Sequence, residues 1–281
     1  MQRTLPKALI AAASFALAAA PSALADTTDS SNWAGYAIHG TGVSFQQISA
    51  RWRQPKANCV AGRPTYSAAW VGLGGFSATS VALEQVGTEL DCGRAGRTLS
   101  SAWFEIVPAP AQSVPLPVKA GDLVAAKVTV TGTQVVVSLS DLTQHKTFTK
   151  ALTAPAVDTS SAEWIVEAPS DCISANDCQT LPLADFGSAT FRLAQAVSST
   201  GTAGSITNAA WSRTKIRLRP AGGRFVSFFG TGRSLGAATP LALRAGGSSF
   251  KVVYSNLSAP SGPAFSKREF VRSVGLTAAA G

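Results

Sequence analysis

The sequence predicts an all-β fold, a sandwich or barrel of many short strands. Two observations carry this. Runs of alternating apolar and polar residues recur along the chain, each bounded by Gly, Pro, Ser, Thr or Asn, the pattern of strands joined by tight turns. Helical periodicity is nearly absent, and no repeat of fixed period is visible.

Taken in order, the chain opens with a leader. Arg3 and Lys7 flank the start of an apolar run, ALIAAASFALAAA at 8–20, and PSALA follows. A charged start, a short apolar middle and a small-x-small end read as a secretory signal peptide, residues 1–25, cut after Ala25. The apolar run is too short to span a bilayer. The expected product is a secreted protein. Residues 26–281 are long enough for one large all-β domain or two smaller ones. The strand-bearing part runs from 26 to 256 and is read as one domain.

Candidate strands follow in sequence: FQQISARWRQP at 45–55, SAAWVGLGG at 67–75, SVALEQVGTEL at 80–90 and SSAWFEIVP at 100–108. LVAAKVTVTGTQVVVSLSDL at 123–142 reads as two strands turning near Thr131-Gly132-Thr133. AEWIVEAP at 162–169, ATFRLAQAV at 189–197, TKIRLRP at 214–220 and SSFKVVYS at 248–255 complete the set. Beyond Asn256 the alternation stops, so 257–281 reads as a C-terminal tail.

Strand parity then places the chemistry. Successive side chains of a strand point to opposite faces. Glu163, Ile165 and Glu167 therefore share one face, while Trp164 and Val166 take the other, apolar one. In the second segment Gln85 lies with Leu83 and Gly87, and Glu84 with Ala82 and Val86. In the third, Trp103, Glu105 and Val107 share a face against Phe104 and Ile106. If these faces belong to one sheet, Gln85, Trp103, Glu105, Glu163 and Glu167 form a polar, aromatic platform with Trp70 beside it. Such a face is either a solvated exterior or a cleft.

Charge and cysteines limit the function classes. The net charge is +9, from 24 Lys and Arg against 15 Asp and Glu. Loss of Arg3 and Lys7 with the leader would lower it by two. The basic residues are scattered and not interleaved with stacking aromatics, so a nucleic-acid partner is not expected. Cys59, Cys92, Cys172 and Cys178 are even in number in an exported chain, which suggests disulfides. Cys172 and Cys178 share a polar turn-rich loop, which favours a local bridge and leaves Cys59 with Cys92. Only His39 and His145 are available as further zinc ligands, and neither lies near a cysteine pair, so no metal is expected. Both histidines fall in expected turns, which argues against a Ser-His-Asp triad. What remains is carboxylate and amide chemistry.

The segments SSNWAGYAI, AAWVGLGG, ALEQVGTE, AWFEIVP, AEWIVEAP and LPLADFG occur in that order. Together they resemble the glutamic peptidases of the eqolisin family, and the match runs from about Ser31 to Ser255. The resemblance implies a concanavalin A-like β-sandwich of two large antiparallel sheets with a concave active-site face. It also implies a catalytic glutamine at Gln85 and a catalytic glutamate at Glu167. Trp70, Trp103, Glu105 and Glu163 match positions lining the same cleft, and Trp33 and Gly35 match the N-terminal segment at its rim. The implied activity is hydrolysis of polypeptides at acid to mildly acid pH by a monomer, without cofactor and without membrane attachment after leader removal. Fungal members carry an aspartate in WVGIDG where this chain has Gly74, so one acidic neighbour is missing. Only 26–30 separate the leader from the first motif, which leaves no room for an N-terminal propeptide.

Two other classes use similar parts. A β-sandwich glycosidase needs two carboxyls about 5–9.5 Å apart. Glu163 and Glu167 lie about 13 Å apart by strand rise, which is too far; Glu105 with Glu167 remains open. A carbohydrate-binding module would stack sugars on Trp70 and Trp103.

Overall fold

The structure, a computed structural model, describes residues 26–174, 177–219 and 236–256. The leader and the C-terminal tail lie outside the described residues. Among the described residues eighteen strands are formed. They are β1 (Asp26–Ser30), β2 (Trp33–His39), β3 (Phe45–Arg53), β4 (Ala68–Gly74), β5 (Leu83–Cys92), β6 (Thr98–Val107), β7 (Gln112–Val114), β8 (Leu123–Thr131) and β9 (Gln134–Asp141). They continue as β10 (Lys146–Thr153), β11 (Ser161–Glu167), β12 (Ser170–Ser174), β13 (Asp177–Thr180), β14 (Ser188–Ser198), β15 (Ala203–Gly204), β16 (Ser212–Leu218), β17 (Gly236–Pro240) and β18 (Phe250–Asn256).

The ladder runs β10-β9-β8-β3-β14-β18-β17-β16-β2-β11-β4-β5-β6-β7. It folds over on itself to give two layers. The front layer contains β16, β2, β11, β4, β5, β6 and β7. The back layer contains β10, β9, β8, β3, β14 and β18. β3 packs across β4 and β11, and β8 across β4 and β5. The two expected sheets are thus the two halves of one hydrogen-bonded ladder. The join is narrow: β16 meets β17 through Leu218 and Ala238, and β17 then pairs with β18. β1 adds parallel to β16. The expected turn at 131–133 is formed, with Thr131 opposite Gln134.

Alternation explains the core. The inward residues of both layers, among them Ile48, Trp52, Val71, Val86, Phe104, Val128, Val137, Trp164 and Phe191, form one buried cluster. Buried indoles keep partners: Trp52 Nε1 donates to Thr88 Oγ1 at 3.1 Å, and Trp164 Nε1 to the Ser49 carbonyl at 3.0 Å. Such bonds tie layer to layer and remove the cost of burying an unpaired N–H.

A disulfide joins Cys59 to Cys92 over a separation of 33 residues. It ties the segment after β3 to the end of β5. Cys172 stands opposite Cys178 in the β12–β13 register, but these side chains lie outside the described residues. Replacing Cys59 and Cys92 together with Ser should cost about 3–4 kcal/mol, the loop entropy such a bridge removes from the unfolded chain. Denaturant unfolding measures it as a lower midpoint with a steeper slope, since the unbridged unfolded chain exposes more surface. An unchanged midpoint would show that hydrogen bonds such as Asn58 N to the Asp185 carbonyl already hold this segment.

Candidate active site

The parity read from the sequence holds across the front layer. Register pairs Glu167 with Trp33 on one side and Ala68 on the other. One step along the strands, Gly35, Ile165, Trp70, Gly87 and Trp103 form a second row. The third row is Ala37, Glu163, Gly72, Gln85 and Glu105. The strands therefore bring Gln85, Trp103, Glu105, Glu163, Glu167, Trp33, Gly35 and Trp70 onto one face. This face is not a solvated exterior. Trp33, Trp70, Trp103, Leu83, Val107 and Ile165 form a second apolar cluster upon it, separate from the interlayer core. Trp33 and Trp70 meet edge to face with centroids 5.0 Å apart. Trp33 is a buried part of this floor, further in than the rim position the sequence suggested.

Gly35 has a packing role. A Cβ there would lie 1.9 Å from the Trp164 carbonyl oxygen. Only a residue without a side chain lets β2 approach β11 this closely.

Glu167 sits at the end of β11, partly exposed on this face. Its Oε2 accepts from Trp70 Nε1 at 2.8 Å, and its Oε1 from Asn32 Nδ2 at 2.9 Å. Asn32, just before β2, is a site residue that parity reasoning missed. The signal was its place beside Trp33 in SSNWAG. Burial pushes the Glu167 carboxyl up to about 8; the donors Trp70, Trp33 and Asn32 pull it down, and the charge of Glu105 pushes it up.

Gln85 is buried, and its Nε2 donates to Glu105 Oε2 at 2.5 Å. Its Oε1 has no protein partner among the described residues, nor has Nε1 of Trp103. Burial raises the Glu105 carboxyl, against the lowering effect of Gln85 and the Ala111 backbone. Gln85, Glu105 and Glu167 thus form one unit: an amide bonded to one acid, whose charge is felt by a second.

Glu163 is different. It is fully buried and lies in the electrostatic reach of Asp158 and Glu84. Burial, first of all, holds its carboxyl well above the usual range. Asp158 is a further residue the sequence reading missed. It binds Ser80 Oγ and accepts from Gly75 N at 3.4 Å. Gly74 has φ +83, and a Cβ there would lie 2.6 Å from Cβ of Asp158. Position 74 has no room for a side chain because the Asp158 Cβ and backbone oxygen and the Ala82 carbonyl already fill that space, and its φ disfavours one.

His39 is the last residue of β2, not a turn residue as expected. Its Nε2 lies 2.9 Å from Thr214 Oγ1, and its ring stacks on Phe76 at 4.8 Å. His145 is in a turn with φ 55.

A two-layer β-sandwich whose front layer gathers an amide and two electrostatically linked carboxyls beside a cluster of indoles is the build of a hydrolase that works with carboxyl groups. Its family follows from the sequence. The model of the peptidase A4 family matches residues 31–221, and the chain belongs to that family. It is a peptidase. No curated protein sequence matches it. Among solved structures, scytalido-glutamic peptidase with a transition-state analogue inhibitor is similar with a TM-score of 0.63 and 22% identity, over 80% of this chain and 98% of that one. SCP-B, an eqolisin-family member in complex with the tripeptide Ala-Ile-His, gives 0.59 and 21% over the same shares. These likenesses show the shared β-sandwich fold.

Proposed function

We propose that this chain is a secreted glutamic endopeptidase that cleaves polypeptides at acid to mildly acid pH, with Glu167 and Gln85 as its catalytic residues. The observation that carries the reading is the linked set Gln85–Glu105–Glu167 on one face of the front layer. At acid to mildly acid pH most of Glu167 is protonated; its ionised fraction takes a proton from a water as the water attacks the peptide carbonyl, then returns it to the departing nitrogen. A raised pKa makes this carboxylate a stronger base once ionised. Trp70 and Asn32 hold it in place. Gln85 keeps a second N–H beyond the one given to Glu105, and that N–H donates to the developing oxyanion. Its unpartnered Oε1 accepts from the water. Peptidase family membership favours this use of the Glu105 and Glu167 carboxyls over sugar hydrolysis. The leader read from the sequence at 1–25 is the support for export.

The test is a pH profile on denatured casein and on a short peptide, beside a β-glucan control. Two variants give opposite shifts. Glu105→Gln removes a charge that raises Glu167, so the limb governed by Glu167 should move to lower pH. Trp70→Phe removes a donor that stabilises the charged form, so the same limb should move to higher pH. Shifts in one common direction would take Glu167 out of the titrating role. Glucan cleavage without proteolysis would replace the reading.

A further inference from the structure

We infer that the outer face of the back layer is a binding surface for an acidic polysaccharide. The face is defined by register. Arg192, Arg51, Ala125, Ser140 and Thr147 form one row across five strands. Gln195, Ser49, Lys127, Ser138 and Thr149 form the next. Arg51, Lys127 and Arg192 are all exposed, and neither row holds an acidic residue. Lys251 of β18, also exposed, extends the charge beyond β14, opposite Thr190.

Three features go beyond ordinary surface charge. First, Arg51 and Arg192 are direct cross-strand partners. Like charges in that position repel, and none of Arg51, Lys127, Arg192 or Lys251 is ion-paired among the described residues. An anion laid between them would relieve the repulsion. Second, the face is hollowed. Arg51, Lys127, Ser49, Ser138, Ser140 and Gln195 line a shallow groove, which the bulge between Arg192 and Gln195 helps to shape, with Leu193 raised on its wall at φ 50. Third, the groove is edged by hydroxyl pairs, Ser138 with Thr149 at 3.1 Å and Ser140 with Thr147 at 2.9 Å. These can exchange hydrogen bonds with sugar hydroxyls and acid groups.

The same face selects against other partners. Neither row carries an aromatic side chain, so there is no platform on which bases could stack. The chain's own tail, 257–281, carries Lys267, Arg268 and Arg272 against one acid, Glu269, and is no counter-charge. A linear polymer of sulfated or uronic-acid sugars supplies both the charge and the hydroxyls. Because the face belongs to the layer opposite the Glu167 cleft, a peptidase held there keeps its cleft open to substrate.

The experiment uses the secreted chain on heparin and on polygalacturonate, with duplex DNA of equal charge as comparison. The parent should bind both polysaccharides at about 0.15 M salt, with affinity falling steeply as salt rises. Arg51→Ser with Lys127→Ser and Arg192→Ser should lower that affinity at least tenfold and flatten the salt dependence. Cleavage of a short neutral peptide should not change. A control variant with Arg63, Arg94 and Arg97 changed to Ser has the same net charge and should bind as the parent does. Equal loss in both variants would reduce the effect to net charge and overturn the assignment to this face. Tighter binding of DNA than of either polysaccharide would overturn the partner class. Absence of binding by the parent would overturn the inference itself.

Discussion

Glu167→Gln should lower kcat/KM on a peptide substrate by about 10²–10⁴-fold, the range for loss of a positioned acid–base group. The change is nearly isosteric. A glutamine Oε1 can still accept from Trp70 or Asn32, so the local bonds survive in part while the proton carrier is gone. Gln85→Ala should cost about 10²–10³-fold, the loss seen for a single oxyanion donor. It also frees Glu105 from its 2.5 Å partner, so its pH profile should change where that of Glu167→Gln is simply flat and low. The double variant should be little worse than the poorer single one, since both groups serve one transition state. Glu163→Gln is the internal control. Glu163 shares the face but is fully buried and looks toward Asp158 and Glu84, so its loss should be much milder. Circular dichroism must show a folded chain in each case. A folded Glu167→Gln protein that keeps most of its activity would remove Glu167 from the chemistry. In the parent enzyme the pH dependence belongs to the Glu105–Glu167 couple, in which Glu167 is the member that carries the proton.

Much of this site was legible because β-strands have a period of two. Parity paired Gln85 with Leu83, Glu105 with Trp103, and Glu163 with Glu167 within their strands, and the order of the six family segments set the pairing of function to residue; that the three faces are one came only with the register. Parity could not say that the face is walled by indoles, because that depends on Trp33, Trp70 and Trp103 meeting across three strands far apart in sequence. Asn32 was hidden for another reason: it sits in a bend before β2, where no periodicity applies. Asp158 was hidden in a loop in the same way, and its role at the Gly74 end depends on long-range packing. Glu84 was correctly placed on the apolar side with Ala82 and Val86, but full burial of a carboxyl is not something alternation announces. The fold class was legible from strand density. The continuity of the two layers through β17 was not, since one residue pair, Leu218 with Ala238, carries it. The strands β1, β2, β7, β10, β12, β13, β15 and β17 were also missed: β2 is buried on both faces and so does not alternate, β10 is mostly polar and exposed, and the others are brief.

The buried acids make the fold itself an acid-favoured one, and raising the pH from about 4.5 to 8 should destabilise it strongly. Burial pushes Glu84 from 4.5 to about 8 and is aided by the charge of Asp158. Burial and then Glu89 push Asp91 to about 7. Glu163 is also raised, and Glu167 stands at about 8. A carboxyl with a raised folded value keeps its proton when folded and releases it when unfolded. Between the two values the folded chain binds more protons, so stability falls as pH rises. The contribution is fully present below the unfolded value near 4.5 and is lost through the folded value near 8. For Glu84, with no exposed surface, this is on the order of 4–5 kcal/mol at about 1.36 kcal/mol per unit, a large part of the margin of any domain. Asp158 acts in the opposite sense. Burial raises it, but Ser80, Ser160 and Gly75 N outweigh that and its pKa is lowered, so its contribution is lost as pH falls below the ordinary aspartate value of 3.8. Stability should therefore peak near pH 4–5 and decline toward neutrality. Denaturant midpoints at pH 4.5 and 8 measure the fall. Glu84→Gln, which carries no proton to lose, should shrink the difference between the two midpoints whatever it does to either one, and Glu163→Gln should shrink it further. Midpoints that hold steady or rise from pH 4.5 to 8 would mean that these carboxyls are ionised and solvated in the folded chain.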